Sequence, residues 1–323
     1  MTVLSLARPP ALAAGWRSLA PLLAIPLLGL PLLVHGDEYL LYNAGIAAIY
    51  VLLATGYNIL IGMAGQLAMS QIAFYGIGAY ASALLSRDLG LAWPLAVLAA
   101  ILLPVPCAWL MARAAVRFSG PYLAMVTFAF HSMALAVFVN WTALTNGWGG
   151  LTRIPPPRIG GLVIAGPVAS YYLLVGFAGA GLYVAWAIRR ARIGRAFLAI
   201  RENRLAARGA GIDTGRMITL AFCISAAYAG LAGALLAHFV RYIDPTSFGL
   251  PTLIDLLVII IVGGRGLVFG VAVAAVGFVF ALEYLRFLQD FKLIVFGLLL
   301  IVLINVSPDG LGALLRRTWG RPA

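Results

Sequence analysis

Charged residues are scarce in this chain. Only 10% of its 323 residues are Asp, Glu, Lys or Arg, whereas 63% are hydrophobic. A soluble domain usually has about 25% charged residues, so a hydrated surface cannot cover the apolar residues of this chain. The composition therefore excludes a soluble globular protein, a disordered chain and a collagen-like fibre, and it indicates a polytopic membrane protein.

Lysine and cysteine are nearly absent. The one lysine, Lys292, follows Asp290 and Phe291 and lacks the Gly-Lys-Ser/Thr context of a phosphate-binding loop. No serine has a glycine two positions before it, and no histidine begins a His-Glu-x-x-His motif. Cys107 and Cys223 lie in separate apolar runs, which favours core packing over a disulfide. The sequence therefore predicts no catalytic site, no metal site and no bound cofactor.

The long apolar runs also lack the alternation of a β-strand. Because lipid permits only helices or closed barrels, these runs predict an all-α protein. One helical crossing needs about 20 apolar residues. We expect a transmembrane domain over 18–306, between tails at 1–17 and 307–323. Its ten predicted spans are residues 18–34, 39–61, 66–85, 92–111, 120–139, 162–188, 217–240, 250–263, 267–284 and 291–306.

Basic residues outnumber acidic ones by 22 to 10, which gives a net charge of +12. In a soluble chain this excess would suggest nucleic acid, but in a membrane protein arginine collects in the loops that stay cytoplasmic. With ten spans and the N-terminus inside, the inner segments carry 16 Arg and Lys residues and the outer segments carry 6. We therefore predict that both termini are cytoplasmic and that nucleic acid is not a partner.

Two glycine-rich junctions connect apolar runs with very few residues. Residues 62–65 read Gly-Met-Ala-Gly, and residues 263–266 read Gly-Gly-Arg-Gly. One interpretation is a pair of tight cytoplasmic turns, in which glycine supplies positive φ angles. The other interpretation is a parallel internal repeat, and the sequence leaves both open.

The loop at 189–216 contains eight arginines. Its apolar residues recur at helical spacing beside a basic stripe formed by Arg201, Arg204 and Arg208. One interpretation is an amphipathic helix that lies on anionic lipid headgroups. The other is a docking helix for a cytoplasmic partner, and spacing alone does not separate the two.

The sequence ENRLAARGAGI at 202–212 resembles the cytoplasmic coupling loop of permeases from ATP-binding-cassette importers. More narrowly, the chain after residue 40 resembles the permease family for branched-chain amino acids, which has relatives for urea and short-chain amides. Each matching motif is weak alone, but their order along the chain is specific. The further motifs are residues 62–70, 74–80, 120–127, 140–141, 149–152, 247–250, 263–266 and 307–311.

The resemblance implies a bacterial inner-membrane protein with several partners. These are a second permease subunit, homologous or identical, two cytoplasmic ATPase subunits that use the ATP, and a periplasmic or extracellular solute-binding protein. We expect residues 193–212 to form the coupling helix that binds the ATPase. Its coupling residues are an apolar anchor of Ile193, Phe197 and Ile200, a polar rim of Arg201, Glu202 and Arg204, and the neighbouring Ala206 and Gly211.

Polar residues within apolar runs are the candidates for the translocation pathway, because such a group costs on the order of 2–3 kcal/mol when it faces lipid. The candidates are Asn58, Gln66, Gln71, His131 and Asp255. We expect Gln66 and Gln71 to face the protein interior, and their alternative role is helix–helix hydrogen bonding. For His131 the alternative is packing, and for Asp255 it is a hydrated position near the outer interface.

Two departures from the family pattern suggest a shifted substrate preference. Residues 146–149 read Asn-Gly-Trp-Gly where the family usually has a Gly-Thr/Ser-Asp stretch, and Asp255 stands in a segment that normally lacks an acid. Two other classes of protein also stay open. An ion-coupled carrier would need several buried carboxylates, but only Asp255 lies well inside a predicted span. An intramembrane enzyme would need the catalytic signatures that are missing.

Overall fold

The computed structural model describes residues 38–118 and 120–284. The predicted spans 18–34 and 291–306 and both predicted tails lie outside the described residues. Each of the other eight predicted spans contains a helix, although the span predicted from residue 162 becomes helical only at Pro167, because residues 162–163 form a short strand. The helices are α1 Glu38–Tyr57, α2 Gln71–Arg87, α3 Trp93–Leu102, α4 Pro104–Arg117, α5 Pro121–Asn140, α6 Thr142–Thr145, α7 Pro167–Arg190, α8 Arg192–Glu202, α9 Arg204–Gly209, α10 Thr214–Val240, α11 Leu250–Gly263 and α12 Val268–Tyr284.

Shorter elements lie between these helices. A π-helix covers Asn58–Met63, and 3-10 helices cover Gly147–Gly149 and Pro245–Phe248. Two two-residue strands, β1 Arg158–Ile159 and β2 Leu162–Val163, pair as an antiparallel hairpin. Apart from this hairpin and an isolated bridge, the regular structure of the described residues is helical, which confirms the predicted all-α class.

The boundary between the first two described spans differs from the prediction. Helix α1 continues directly into the π-helix, so the span runs from Glu38 to Met63. Gly65 then adopts a φ of +68°, and the chain becomes helical again only at Gln71. The expected helix start at residue 66 is therefore wrong, because the left-handed backbone of Gly65 ends the preceding helix.

Five helical segments of the described residues are long and apolar enough to cross a membrane. They are Glu38–Met63, Trp93–Arg117, Pro121–Asn140, Pro167–Arg190 and Thr214–Val240. The second of these joins α3 and α4 and ends at Arg117 rather than at residue 111 as predicted. Helix α11 has only 14 residues, about 21 Å of helix, which is less than the hydrocarbon core of about 30 Å.

Helix α10 is central and packs against α1, α2, α3 and α4. Glycines allow the helix backbones to approach closely. A Cβ on Gly233 would lie 2.1 Å from the Tyr75 carbonyl oxygen, and a Cβ on Gly78 would lie 2.4 Å from the Gly230 Cα. This packing is typical of membrane helices, whose association depends on van der Waals contact between small residues.

The predicted outer loops meet at one end of the bundle. Leu151 pairs with Ile243 in an isolated antiparallel bridge, and His238 Nδ1 lies 2.8 Å from the carbonyl oxygen of Pro155. These contacts join the loop at 141–166 to the end of α10 and to the loop at 241–249. We call this end of the bundle the outer end. The predicted inner junctions meet at the opposite, inner end, where the candidate site lies.

Candidate functional site

The arginine-rich segment folds as two short helices, α8 and α9. Asn203 separates them with a φ of −157° and a ψ of 109°. Its side-chain oxygen accepts hydrogen bonds from the amides of Leu205 and Ala206, each at 3.0 Å. An asparagine at this position satisfies amides that have no partner within the helix. The predicted single helix over 193–212 is therefore divided at Asn203, and Gly211, with a φ of +81°, turns the chain toward α10.

The apolar face of α8 packs against the helix bundle. Phe197 is fully buried and Ile200 is 4% exposed, whereas Ile193 is 38% exposed. This is the burial of an amphipathic helix that covers its own domain. Phe197 and Ile200 therefore do not form an exposed anchor in this structure, because the rest of the chain already covers them.

Arg201 extends from α8 into the inner end. Its Nη1 donates to the carbonyl oxygen of Gly62 at 2.5 Å and to that of Arg265 at 3.3 Å. The first carbonyl belongs to the π-helix, and the second lies in the turn between α11 and α12. One guanidinium therefore joins both glycine-rich junctions through charge-assisted hydrogen bonds, which are stronger than those between neutral groups.

The two junctions also contact each other directly. Asn58 Oδ1 accepts a hydrogen bond from the Gly266 amide at 2.8 Å. A Cβ on Gly62 would lie 1.9 Å from Asn58 Oδ1 and 2.4 Å from the Gly266 nitrogen, so no larger residue fits there without displacement. We call Asn58, Gly62, Arg201 and Gly266 the junction cluster. Both junctions are thus turns at the same end of the bundle, and the repeat interpretation stays open.

Arg204 binds a third segment of the inner end, the C-terminal end of α4. Its Nη2 donates to the Val116 carbonyl oxygen at 2.8 Å and its Nη1 to that of Ala115 at 3.4 Å, both near the end of α4. Burial lowers the pKa of Arg204, although arginine stays protonated at neutral pH. Two of the three predicted rim residues, Arg201 and Arg204, therefore bind the backbone of this chain. Their hydrogen bonds hold together the two glycine-rich junctions and the end of α4, all of which are predicted to be on the inner side.

The opposite face of α8 and α9 is open to solvent. Leu205 is 77% exposed, and Glu202 and Ala206 are exposed close to it in the chain. We call these three residues the open face. Leu205 does not follow the i, i+3, i+4 spacing of the buried residues, so a search for a helical stripe overlooks it. The sequence signal that could have revealed it is an apolar residue among arginines two positions after Asn203, a residue type that often begins a helix.

The five polar candidates for the pathway are all buried: Asn58, Gln66, Gln71, His131 and Asp255. Gln71 joins α2 to α10, since its Nε2 donates to the Ser225 carbonyl oxygen at 3.2 Å and its Oε1 accepts from Ser225 Oγ at 2.7 Å. Gln66 lies outside the helices, and its Nε2 donates to the Ala64 carbonyl oxygen at 2.9 Å. The inward placement expected for both glutamines agrees with their burial, and Gln71 makes the helix–helix hydrogen bond considered as its alternative role.

His131 and Asp255 lie on different helices. The His131 ring is 6.1 Å from that of Phe128 on α5, and its Nδ1 has no hydrogen-bond partner among the described residues. Asp255 lies in α11, is 5% exposed and interacts electrostatically with Tyr50 of α1. Burial of Asp255 differs from the hydrated interfacial position considered for it. The five candidates thus contact separate parts of the described structure rather than one common site.

Comparisons with known proteins decide the family. The profile of the family described as "Branched-chain amino acid transport system / permease component" matches residues 39–304. This chain belongs to that family. The permease is 30% identical over 291 residues to the high-affinity branched-chain amino acid transport system permease protein LivM of Escherichia coli (strain K12), covering 83% of this chain and 68% of LivM.

A second relative is the permease protein LivH of Salmonella typhimurium, named for the same kind of transport system. It is 27% identical to the permease over 285 residues, which cover 81% of this chain and 90% of LivH. No solved structure matches the permease. The family assignment makes this chain a transport component and not an enzyme.

The departure from the family pattern at 146–149 has a local structural role. Asn146 adopts a left-handed φ of +61°, and its Nδ2 donates to the Gly150 carbonyl oxygen at 2.9 Å. Asparagine is one of the few residues that adopt this conformation at low cost. In the permease this residue therefore shapes a turn at the outer end.

Proposed function

We propose that the permease is one of two membrane subunits of an ATP-driven importer for branched-chain amino acids in a bacterial inner membrane. Two cytoplasmic ATPase subunits bind and hydrolyse the ATP in this proposal, and a solute-binding protein delivers the amino acid. The names of LivM and LivH, both permease proteins of a branched-chain amino acid transport system, support the substrate class and a pair of permease chains. Urea or a short-chain amide is the alternative substrate, and an ion-coupled carrier is the alternative mechanism.

The open face carries the coupling proposal. It presents Leu205, which is 77% exposed, between the polar Glu202 and the small Ala206. An apolar centre with a polar rim is the usual composition of a protein interface. We therefore propose Leu205 as the central anchor for the ATPase, and Ile193, which is 38% exposed at the start of α8, as a separate apolar contact. In this proposal the four buried or inward-bonded residues hold the two helices behind that face: Phe197, Ile200, Arg201 and Arg204.

We also propose ten spans, an 18–306 domain and two cytoplasmic termini. The 16-to-6 distribution of Arg and Lys supports this topology. Further support comes from Arg201 and Arg204, which bond to carbonyls of three segments assigned to the inner side. Cysteine labelling tests the orientation, after replacement of Cys107 and Cys223. An impermeant reagent should modify Trp148→Cys and not Leu205→Cys in intact cells, and the opposite result would contradict both the topology and the coupling proposal.

Among the five polar candidates, we propose His131 and Asp255 as residues of the translocation pathway. Ionisable groups buried within membrane helices are costly and are usually kept for function. Asn58, Gln66 and Gln71 are not ionisable, and their hydrogen bonds to the backbone or to a neighbouring helix explain their burial. His131→Asn and Asp255→Asn should lower uptake while the amount of permease in the membrane stays unchanged. Normal uptake in both variants would remove this proposal.

The decisive experiment is co-purification of the ATPase subunits with Leu205→Asp, together with ATP hydrolysis stimulated by the loaded binding protein. Leu89→Asp is the matched control, because Leu89 is 72% exposed and lies in an outer loop. We expect Leu205→Asp to lose association and stimulation, and Leu89→Asp to keep both. Glu202→Lys and Ala206→Trp should weaken association to a smaller extent. Full association in all three open-face variants would return this segment to the role of a membrane-surface helix.

Substrate class and energy source are tested by uptake into cells that lack their own transporters. Labelled leucine should enter only when the ATPase subunits are present, and unlabelled isoleucine and valine should compete with it. Competition by urea or acetamide alone would favour the alternative substrates. Uptake by the permease without any ATPase would favour the ion-coupled carrier.

A further inference from the structure

Arg201 is the residue at which three elements of the inner end meet. It belongs to α8, and it donates to the Gly62 carbonyl of the first glycine-rich junction and to the Arg265 carbonyl of the second. The backbone of Gly65 also packs on it, since a Cβ on Gly65 would lie 3.0 Å from Arg201 Cγ. We infer that Arg201 is a positioning residue that transmits movement of the ATPase-binding helices to both glycine-rich junctions. This inference rests on the proposed function of the open face.

The π-helix is the element that such a movement would reshape. Asn58, its first residue, is fully buried. Its Oδ1 accepts from the Gly266 amide, whereas its Nδ2 has no hydrogen-bond partner among the described residues. Short π-helical segments recur at functional positions, where the regular hydrogen-bond ladder is already altered. A second arrangement of this segment would allow Nδ2 to form a hydrogen bond that no described residue provides here.

The contacts in the junction cluster are close enough to transmit a small displacement. A Cβ on Gly266 would lie 2.9 Å from the Gly62 carbonyl oxygen and 3.0 Å from Arg201 Nη1, so no side chain separates these groups. Packed protein interiors transmit strain because they are dense and barely compressible. Arg201 is itself partly open to solvent and precedes Glu202 of the open face. Displacement of the open face therefore reaches both junctions through one guanidinium.

Other arginines of the segment do not share this position. Arg204 bonds to the end of α4. Arg195 lies on the same helix as Arg201 and is exposed, and its Nη1 donates to the nearby Arg190 carbonyl oxygen at 3.1 Å. Arg195→Gln is therefore the matched control for Arg201→Gln.

The test uses the complete importer, with permease pair, ATPases and binding protein, in proteoliposomes. We expect Arg201→Gln to bind the ATPases normally but to move about fivefold fewer amino acids per ATP hydrolysed, the lower range of coupling between sites in proteins. Arg195→Gln should behave as the unaltered permease. Arg201→Lys, which keeps a charged donor, should recover part of the loss.

A second measurement needs only the purified permease. Amide hydrogen exchange of peptides covering 58–66 and 263–268 should be about tenfold faster in Arg201→Gln, because the junction bonds open more often. Exchange across α10 should stay unchanged, and Arg195→Gln should match the unaltered permease in all peptides.

Unchanged transport per ATP in Arg201→Gln would overturn the inference, and faster exchange with normal transport would show a structural role alone. Loss of ATPase association in this variant would also overturn it, because Arg201 would then be a docking contact. Absence of ATP-dependent uptake by the unaltered permease is a different failure, which removes the proposed function itself.

Discussion

The two ends of the helix bundle are held together by different chemistry. At the inner end, the guanidinium groups of Arg201 and Arg204 donate to backbone carbonyls of three junctions. At the outer end, Arg241 Nη2 donates to the Ala165 carbonyl oxygen at 3.3 Å. The shorter contacts there come from buried side chains without a formal charge pair, including Ser82 Oγ, which lies 2.8 Å from His238 Nε2. Nearby, the fully buried Phe248 packs its ring 5.3 Å from Tyr75, 5.7 Å from Tyr80 and 5.9 Å from Phe138.

This difference indicates which end rearranges more easily. A few directional hydrogen bonds beside solvent can exchange with water, and the glycines of the two junctions have no side chains that must repack. An aromatic cluster loses a large buried area when it opens. We therefore expect the inner end to change conformation when the ATPases act, while the outer aromatic cluster stays together.

The largest predicted effect tests the aromatic cluster. Phe248→Ala should lower the free energy of unfolding by about 3–5 kcal/mol, because it leaves a cavity where four rings meet. Denaturation of the purified permease in detergent measures it. Phe118→Ala is the control, since Phe118 is exposed near the inner end. A cost below about 1 kcal/mol would mean that the rings do not hold the outer end together.

The second prediction tests the close approach of the inner junctions. Gly62→Ala should destabilise the permease by about 2–3 kcal/mol, because the new Cβ overlaps Asn58 and Gly266. Gly209→Ala should cost almost nothing, since a Cβ there meets no described atom within 4 Å. Equal melting temperatures for the two variants would contradict the tight packing of the junction cluster.

The third prediction concerns the polar contact at the outer end. Ser82→Ala should cost about 1–2 kcal/mol, because it leaves a buried ring nitrogen of His238 without a partner. The same unfolding measurement on Ser132→Ala, an exposed position in α5, gives the baseline. If both serine variants unfold alike, the His238 contact contributes nothing to the outer end.

The smallest effect is expected at an exposed ion pair beside α2. Arg87 Nε lies 2.6 Å from Asp88 Oδ1, and this hydrogen bond lowers the pKa of Asp88. Solvent screening limits its value, so Asp88→Asn should cost less than about 0.5 kcal/mol at neutral pH. Because the folded-state pKa is lowered, the contribution should disappear as the pH falls through it. Unfolding of the unaltered permease and of Asp88→Asn at several pH values measures this contribution. A difference in unfolding free energy that persists at acidic pH would show that it does not come from the ion pair.

The inner and outer ends also differ in how much of them the sequence predicts. Alternation of apolar runs and loops predicts which segments share an end of the bundle, and the contacts of the described residues agree with that grouping. It does so because hydrophobicity and charge are properties of the residues themselves. The spacing of Phe197 and Ile200 predicts an amphipathic helix, and α8 is one. Spacing does not say what the apolar face covers, so both residues were expected at a partner surface although the chain buries them itself.

The sequence by itself determined the helical class, the approximate positions of the helices among the described residues and the family, because these depend on composition, periodicity and the order of motifs. Tertiary structure decided the roles of single residues. Only folding brings Arg201 to carbonyls 139 and 64 positions away along the chain, and only the break at Asn203 leaves Leu205 exposed. Every residue has the same backbone carbonyl. The pattern of side chains therefore cannot reveal which carbonyls Arg201 and Arg204 bind.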